Sequence, residues 1–273
     1  MTTQGKTTQG KTTLRALPRD VARLRHARMR SPMNTMILQI VLAVVPIVLA
    51  ITLHEAAHGY AALAMGDDTA KQAGRLSLNP LAHVDRVGTI LLPGFLLIFQ
   101  LLTLHRVAFM FGWAKPVPVA AWRFRHPRQG MMVVAAAGPA MNFFLAWLAA
   151  VLAHALVYLP ASQMELAAQF IEDFILVNLV LGLFNLLPIP PLDGGRIAVG
   201  LLPMRLAQVW ARLERLGIVL VLLVVFLLPR MLAEFGIVFD PFSTLLNTVV
   251  PWALRLVLLL AGHDVGSSDV SIL

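Results

Sequence analysis

Inside an apolar stretch running from Met36 to Met65, the chain places His54, Glu55, Ala56, Ala57 and His58 in succession. Histidines four residues apart on a helix project from one face about one turn apart, so both imidazoles can reach a single metal ion. Glu55, next to His54, does not fully share that face. Its carboxylate is left free to handle a water molecule on the ion. The chemistry served by this pattern is metal-assisted hydrolysis with Glu55 as general base. The setting sharpens the reading, because an unpaired acid near mid-bilayer costs about 2.5–3.5 kcal/mol and is retained where it binds something.

The elements that position these groups belong to a membrane protein. The chain is 58% hydrophobic and 13% charged, with a mean hydropathy of +0.77, far from the composition of a soluble domain. There is no cysteine, which excludes disulfides and thiolate metal sites and leaves His, Asp, Glu or water as ligands. Apolar runs at about 36–65, 88–104, 131–158, 170–190, 216–229 and 242–261 predict an all-α polytopic fold with about six membrane segments. The run 88–104 holds Pro93 and Gly94 at its centre and barely reaches ~30 Å, so it either spans or is re-entrant. The connection from His105 to Gly130 is more polar, and its prolines and β-branched residues at 112–119 predict a small extended segment between the second and third runs.

Topology leaves two arrangements open. If all six runs span, the loops on the N-terminal side carry most of the Lys and Arg, which places the N-terminus in the cytoplasm. The runs bearing His54 and Asp193 are then antiparallel. If 88–104 is re-entrant they run parallel and both ligands fall near one face, which metal geometry favours.

A third ligand is needed, and the buried candidates are Asp193, His154, Glu172 and Asp173, with His83, Asp85 and His105 near segment ends. Asp193 stands out because Pro188, Pro190 and Pro191 break the helix before it, while Gly194 and Gly195 allow a tight turn after it. Irregular backbone at membrane depth needs a cavity or a site to line. Glu172 and Asp173 are expected to begin the helix leading to that loop, where acids suit the dipole. His154 reads as a packed or hydrogen-bonded residue.

Three motifs together carry a resemblance: the His54–His58 pattern, Gly138-Pro-Ala-Met-Asn142 in a second segment, and the run from Asn185 through Pro188 and Pro190 to Asp193-Gly194 in a third. Over roughly residues 36–200 the chain resembles the site-2 protease family of intramembrane metalloproteases, in a compact branch without a PDZ or CBS domain. The resemblance implies one zinc ion per chain held by His54, His58 and Asp193, with Glu55 as general base. It also implies that Asn142 and Asn185 line the site, as candidates to bind the substrate backbone or an oxyanion. The expected activity is an intramembrane zinc endopeptidase that cleaves transmembrane segments of membrane proteins, in regulated proteolysis or signal-peptide remnant removal. The alternatives are a non-proteolytic metal protein such as a zinc transporter, or a catalytically inactive homologue.

Residues 1–35 form a separate domain, ahead of a membrane-embedded metalloprotease domain over 36–273. They open on a TTQGK repeat and carry eight cations against Asp20 alone, which predicts a disordered basic arm on anionic headgroups of the plasma membrane. No aromatic or fold signal supports a nucleic-acid partner.

Overall fold

Backbone inside a bilayer has no water to bond, so this chain satisfies its N–H and C=O groups within helices. The computed structural model describes residues 32–106 and 112–264, among which there is no β-strand. The basic arm lies outside the described residues up to position 31. The chain divides into two units, 1–41 and 42–273, and every residue discussed below as part of a site belongs to the second.

Helix α1 covers Pro32–Ala64. A π-helical turn, Arg86–Leu91, leads into α2 at Leu92–Leu104. Helices α3 (Pro127–Ala153) and α4 (Ala161–Asn185) form a hairpin through a short 3-10 turn. A non-helical stretch over 186–192 follows, then α5 (Asp193–Leu201) and α6 (Met204–Leu213). Val250–Leu260 is the last described helix, here α7. The protein is thus an all-α polytopic membrane protein, with five helices among the described residues long and apolar enough to cross a bilayer. The run expected at 216–229 is helical but lies in three joined pieces, Gly217–Leu222, the π turn Leu223–Leu227 and Leu228–Glu234, and is not among those five.

Two expectations change. Helix α4 begins at Ala161, so Glu172 and Asp173 sit mid-helix rather than at its N-terminus. Its first half is polar enough to read as a loop, yet a helix end needs only caps and packing, not apolarity. The run 88–104 is long enough to span. Nevertheless the chain is back beside its start by Gly112 and Trp113, where Trp113 N–H donates to Gly88 C=O at 3.1 Å. The segment leaves and returns, which is the re-entrant alternative.

That return sets helix direction. Moving back along α1 from His58 to His54 and Ala50, contacts on α3 advance from Val134 to Asn142, so the two helices are antiparallel. Because α4 folds back on α3, α1 and α4 run parallel. The core that locks α3, α4 and α7 together is built from Ala146, Ala149 and Ala150 against Ile175, Leu179, Ala253, Val257 and Leu258. Small residues on α3 let the helices approach closely, which is how packing is gained where lipid removes the hydrophobic drive.

Candidate metal centre

His54 Nε2 and His58 Nε2 stand 3.1 Å apart, and both lie against one oxygen of Asp193, at 3.2 and 3.3 Å. All three residues are buried. Tetrahedral zinc with bonds of about 2.0–2.2 Å would separate its donor atoms by about 3.3–3.6 Å, so the observed triangle has the dimensions of such a site. The protonation pattern points the same way. His54 Nδ1 lies 2.6 Å from the amide oxygen of Asn142 and His58 Nδ1 lies 2.7 Å from the carbonyl of Val134, so each ring donates through Nδ1. Both Nε2 atoms then present lone pairs to each other and to a carboxylate oxygen that has no hydrogen-bond partner. Three electron-pair donors converging in a buried place fit a cation at their centre.

Two local features bring these groups together. Gly138 on α3 faces the rings so closely that a Cβ there would lie 2.5 Å from His58 Cε1 and Nε2 and 2.6 Å from His54 Cε1. Asp193 is delivered by the stretch 186–192, which folds over the first turn of α5. A Cβ on Gly194 would meet the carbonyl oxygens of Leu186 and Leu187 at 2.2 and 2.3 Å. Only glycine permits that approach, so the break after α4 and the start of α5 can share one place.

A cavity of about 390 Å³ opens on the triangle and is lined by Glu55, Asn185 and Arg196 among its polar side chains. Glu55 Oε2 accepts a hydrogen bond of 3.2 Å from the backbone N–H of Val117. Val117 belongs to the extended stretch 112–120, which crosses the cavity without strand partners among the described residues. Along it, Trp113 and Lys115 direct both backbone groups into the protein. Trp113 N–H donates to Gly88 C=O and its carbonyl accepts from Thr89 Oγ1. Lys115 N–H donates to His83 C=O at 2.9 Å and its carbonyl accepts from Arg75.

The far end of this stretch is pinned by Asp67, a fully buried carboxylate just past α1. It accepts from the N–H of Ala120 at 2.6 Å and from the N–H and hydroxyl of Thr69 at 3.0 and 2.5 Å, with the Arg123 guanidinium 3.9 Å away. Burial alone would push this carboxyl up. The donors from Thr69 and Ala120 outweigh it and hold Asp67 below the usual carboxylate range.

The six residues singled out from sequence separate into groups. His54, His58 and Asp193 come together, and Glu55 and Asn185 line the adjoining cavity. Asn185 spends one amide hydrogen on Leu181 C=O of its own helix. Asn142, expected to face substrate, is fully buried behind His54 and gives its amide hydrogens to Asn178 Oδ1 (2.9 Å) and Ala50 C=O (3.5 Å). It orients a ligand and does not touch the cavity. Asn178 was missed. A lone amide within the apolar turns of α4 was the available signal, since polar groups at that depth need a partner. His154 donates to Ala261 C=O and stacks on His263 at 4.1 Å, away from the triangle.

Buried within apolar helices, two histidines and an aspartate around a cavity holding a glutamate define a membrane metal-dependent hydrolase site. Residues 155–228, which include Asn185 and Asp193, match the model of Peptidase family M50. The chain is also 41% identical over 193 residues to a Bacillus subtilis (strain 168) protein named "Putative zinc metalloprotease YwhC", over 68% of this chain and 80% of that one. No solved structure matches. The chain belongs to Peptidase family M50, the site-2 proteases, and is a membrane metalloprotease.

Proposed function

We propose that this protein is an intramembrane zinc endopeptidase of the cell membrane that hydrolyses peptide bonds in transmembrane segments of other membrane proteins. The observation that carries the reading is the convergence of His54, His58 and Asp193 beside Glu55 at a cavity inside apolar helices. One zinc ion would be held by those three side chains. When bound it supplies a Lewis acid that polarises a carbonyl and acidifies water.

The protein's own groups do the rest. Asn142 and the Val134 carbonyl hold both imidazoles in the tautomer that offers Nε2. Glu55 takes a proton from the attacking water at its carboxylate and returns it to the nitrogen of the departing amine. The Val117 N–H keeps that carboxylate turned toward the cavity. Apolar wall residues such as Ile51, Val134 and Leu181 keep bulk water out.

A helical substrate must unwind locally to expose a peptide bond. Since residues 113, 115 and 117 point their backbone groups inward, residues 114, 116 and 118 point theirs outward. Pro116 and Pro118 have no N–H, so full strand pairing is blocked, and the edge instead offers carbonyls to substrate N–H groups. A zinc transporter would have no use for a held carboxylate beside the ligands, so Glu55 favours hydrolysis. Incubating purified protein with a helix-destabilised model transmembrane substrate and mapping the products by mass should place the cut inside the apolar segment. A cut confined to the flanking soluble sequence would refute the reading.

A further inference from the structure

Behind the crossing stretch lies a second cavity of about 320 Å³, which shares Ile51, Gly112, Trp113 and Ala114 with the wall of the metal cavity. Its lining is mostly apolar, from side chains such as Val48, Val84 and Pro93, and includes no Asp, Glu, Lys or Arg. The exception in character is His83, which is buried. Its Nε2 lies 2.8 Å from the carbonyl of Ser77, so Nε2 carries the hydrogen and Nδ1 the lone pair. That Nδ1 is buried and has no partner. An unmatched acceptor costs about 1–3 kcal/mol, a deficit that a donor from outside would remove.

Resting on the protease reading above, we propose that this cavity is a side-chain subsite for an uncharged hydrogen-bond donor of the substrate: a Ser, Thr, Asn or Gln whose O–H or N–H donates to His83 Nδ1. The absence of charge in the lining excludes Lys, Arg, Asp and Glu. Position along the substrate follows from α1. Ile51 and Val48 lie three and six residues before His54, which at 1.5 Å per residue is about 5–9 Å from the metal triangle. An extended chain covers that distance in two or three residues at about 3.3 Å each. The subsite therefore takes the second or third residue from the scissile bond.

The experiment uses the full-length protein in detergent and a model transmembrane substrate carrying Thr or its isostere Val at the second and third positions on each side of the cut. The readout is the Thr-to-Val ratio of kcat/KM, which a general loss of folded protein leaves unchanged. At one position the wild type should prefer Thr by about tenfold or more, because a site with a buried acceptor rejects a residue lacking the donor. His83→Leu should bring that ratio to about one. His83→Asn, which keeps an acceptor near the place of Nδ1, should preserve a preference for Thr. A ratio near one at all four positions in the wild type overturns the subsite, as does an unchanged ratio in His83→Leu. Equal loss in the Leu and Asn variants overturns the acceptor role of Nδ1. If the wild type cleaves no member of the panel, the protease reading itself falls and the subsite with it.

Discussion

Replacing Asn142 by Leu removes the acceptor that fixes His54 while keeping nearly the same volume. In the wild type His54 Nδ1 and Asn142 Oδ1 stand 2.6 Å apart, both residues buried, and the same amide is braced by Asn178 at 2.9 Å. Without it the His54 ring is free to carry its proton on Nε2, the atom that must donate to the metal. Loss of such a partner typically weakens metal affinity by about 10–100-fold, which is about 1.4–2.7 kcal/mol. The change also strands Asn178 Oδ1 without its donor, for a further stability loss of about 1–3 kcal/mol in the metal-free protein. Chelator competition gives the zinc dissociation constant, and thermal unfolding of the metal-free form gives the second quantity. Asn178→Leu should lower zinc affinity less than Asn142→Leu, since the direct bond to His54 survives. A zinc affinity in Asn142→Leu within about threefold of wild type would refute the orienting role, given the size expected.

Other perturbations test separate parts of the account. Gly138→Ala places a Cβ against both rings. It should therefore lower zinc content while the helix itself gains slightly, by up to about 1 kcal/mol from the better helix former, as read from metal analysis and unfolding of the metal-free protein. Asp67→Asn sets an amide donor against the Ala120 N–H and forfeits charge-assisted bonds worth about 1.5–3 kcal/mol each, so its melting temperature should fall. Because the folded pKa of Asp67 lies below its usual value, its stabilisation is complete above the unfolded value of about 4 and disappears as pH falls through the folded one. The melting-temperature gap between wild type and Asp67→Asn should hold steady at neutral and mildly acid pH and shrink only below about pH 4.

The parts legible in sequence were those whose signal is local. Spacing alone puts His54 and His58 on one face, and the prolines and glycines around Asp193 announce a carboxylate presented from broken helix. Asn142 was visible as a polar group one turn from Gly138. Its place behind His54 depends on how α3 rotates against α1, which no local pattern encodes. Asn178 matters only because α4 packs its face on α3. The course of 88–104 was open for the same reason, since length and apolarity cannot distinguish a helix that crosses from one whose chain returns to Gly88. The start of α4 at Ala161 was hidden by polar side chains on its first turns.

Glu55 separates hydrolysis from metal binding, so it carries the most direct test. Wild type and Glu55→Gln, purified in detergent, are compared for zinc content and for cleavage of a helix-destabilised transmembrane substrate. Both proteins should bind about one zinc per chain, since Gln keeps the size of Glu and neither side chain belongs to the His54, His58 and Asp193 triangle, and only the wild type should cut. Equal cleavage by the two proteins, or zinc binding by both with no cleavage by either, would contradict the account.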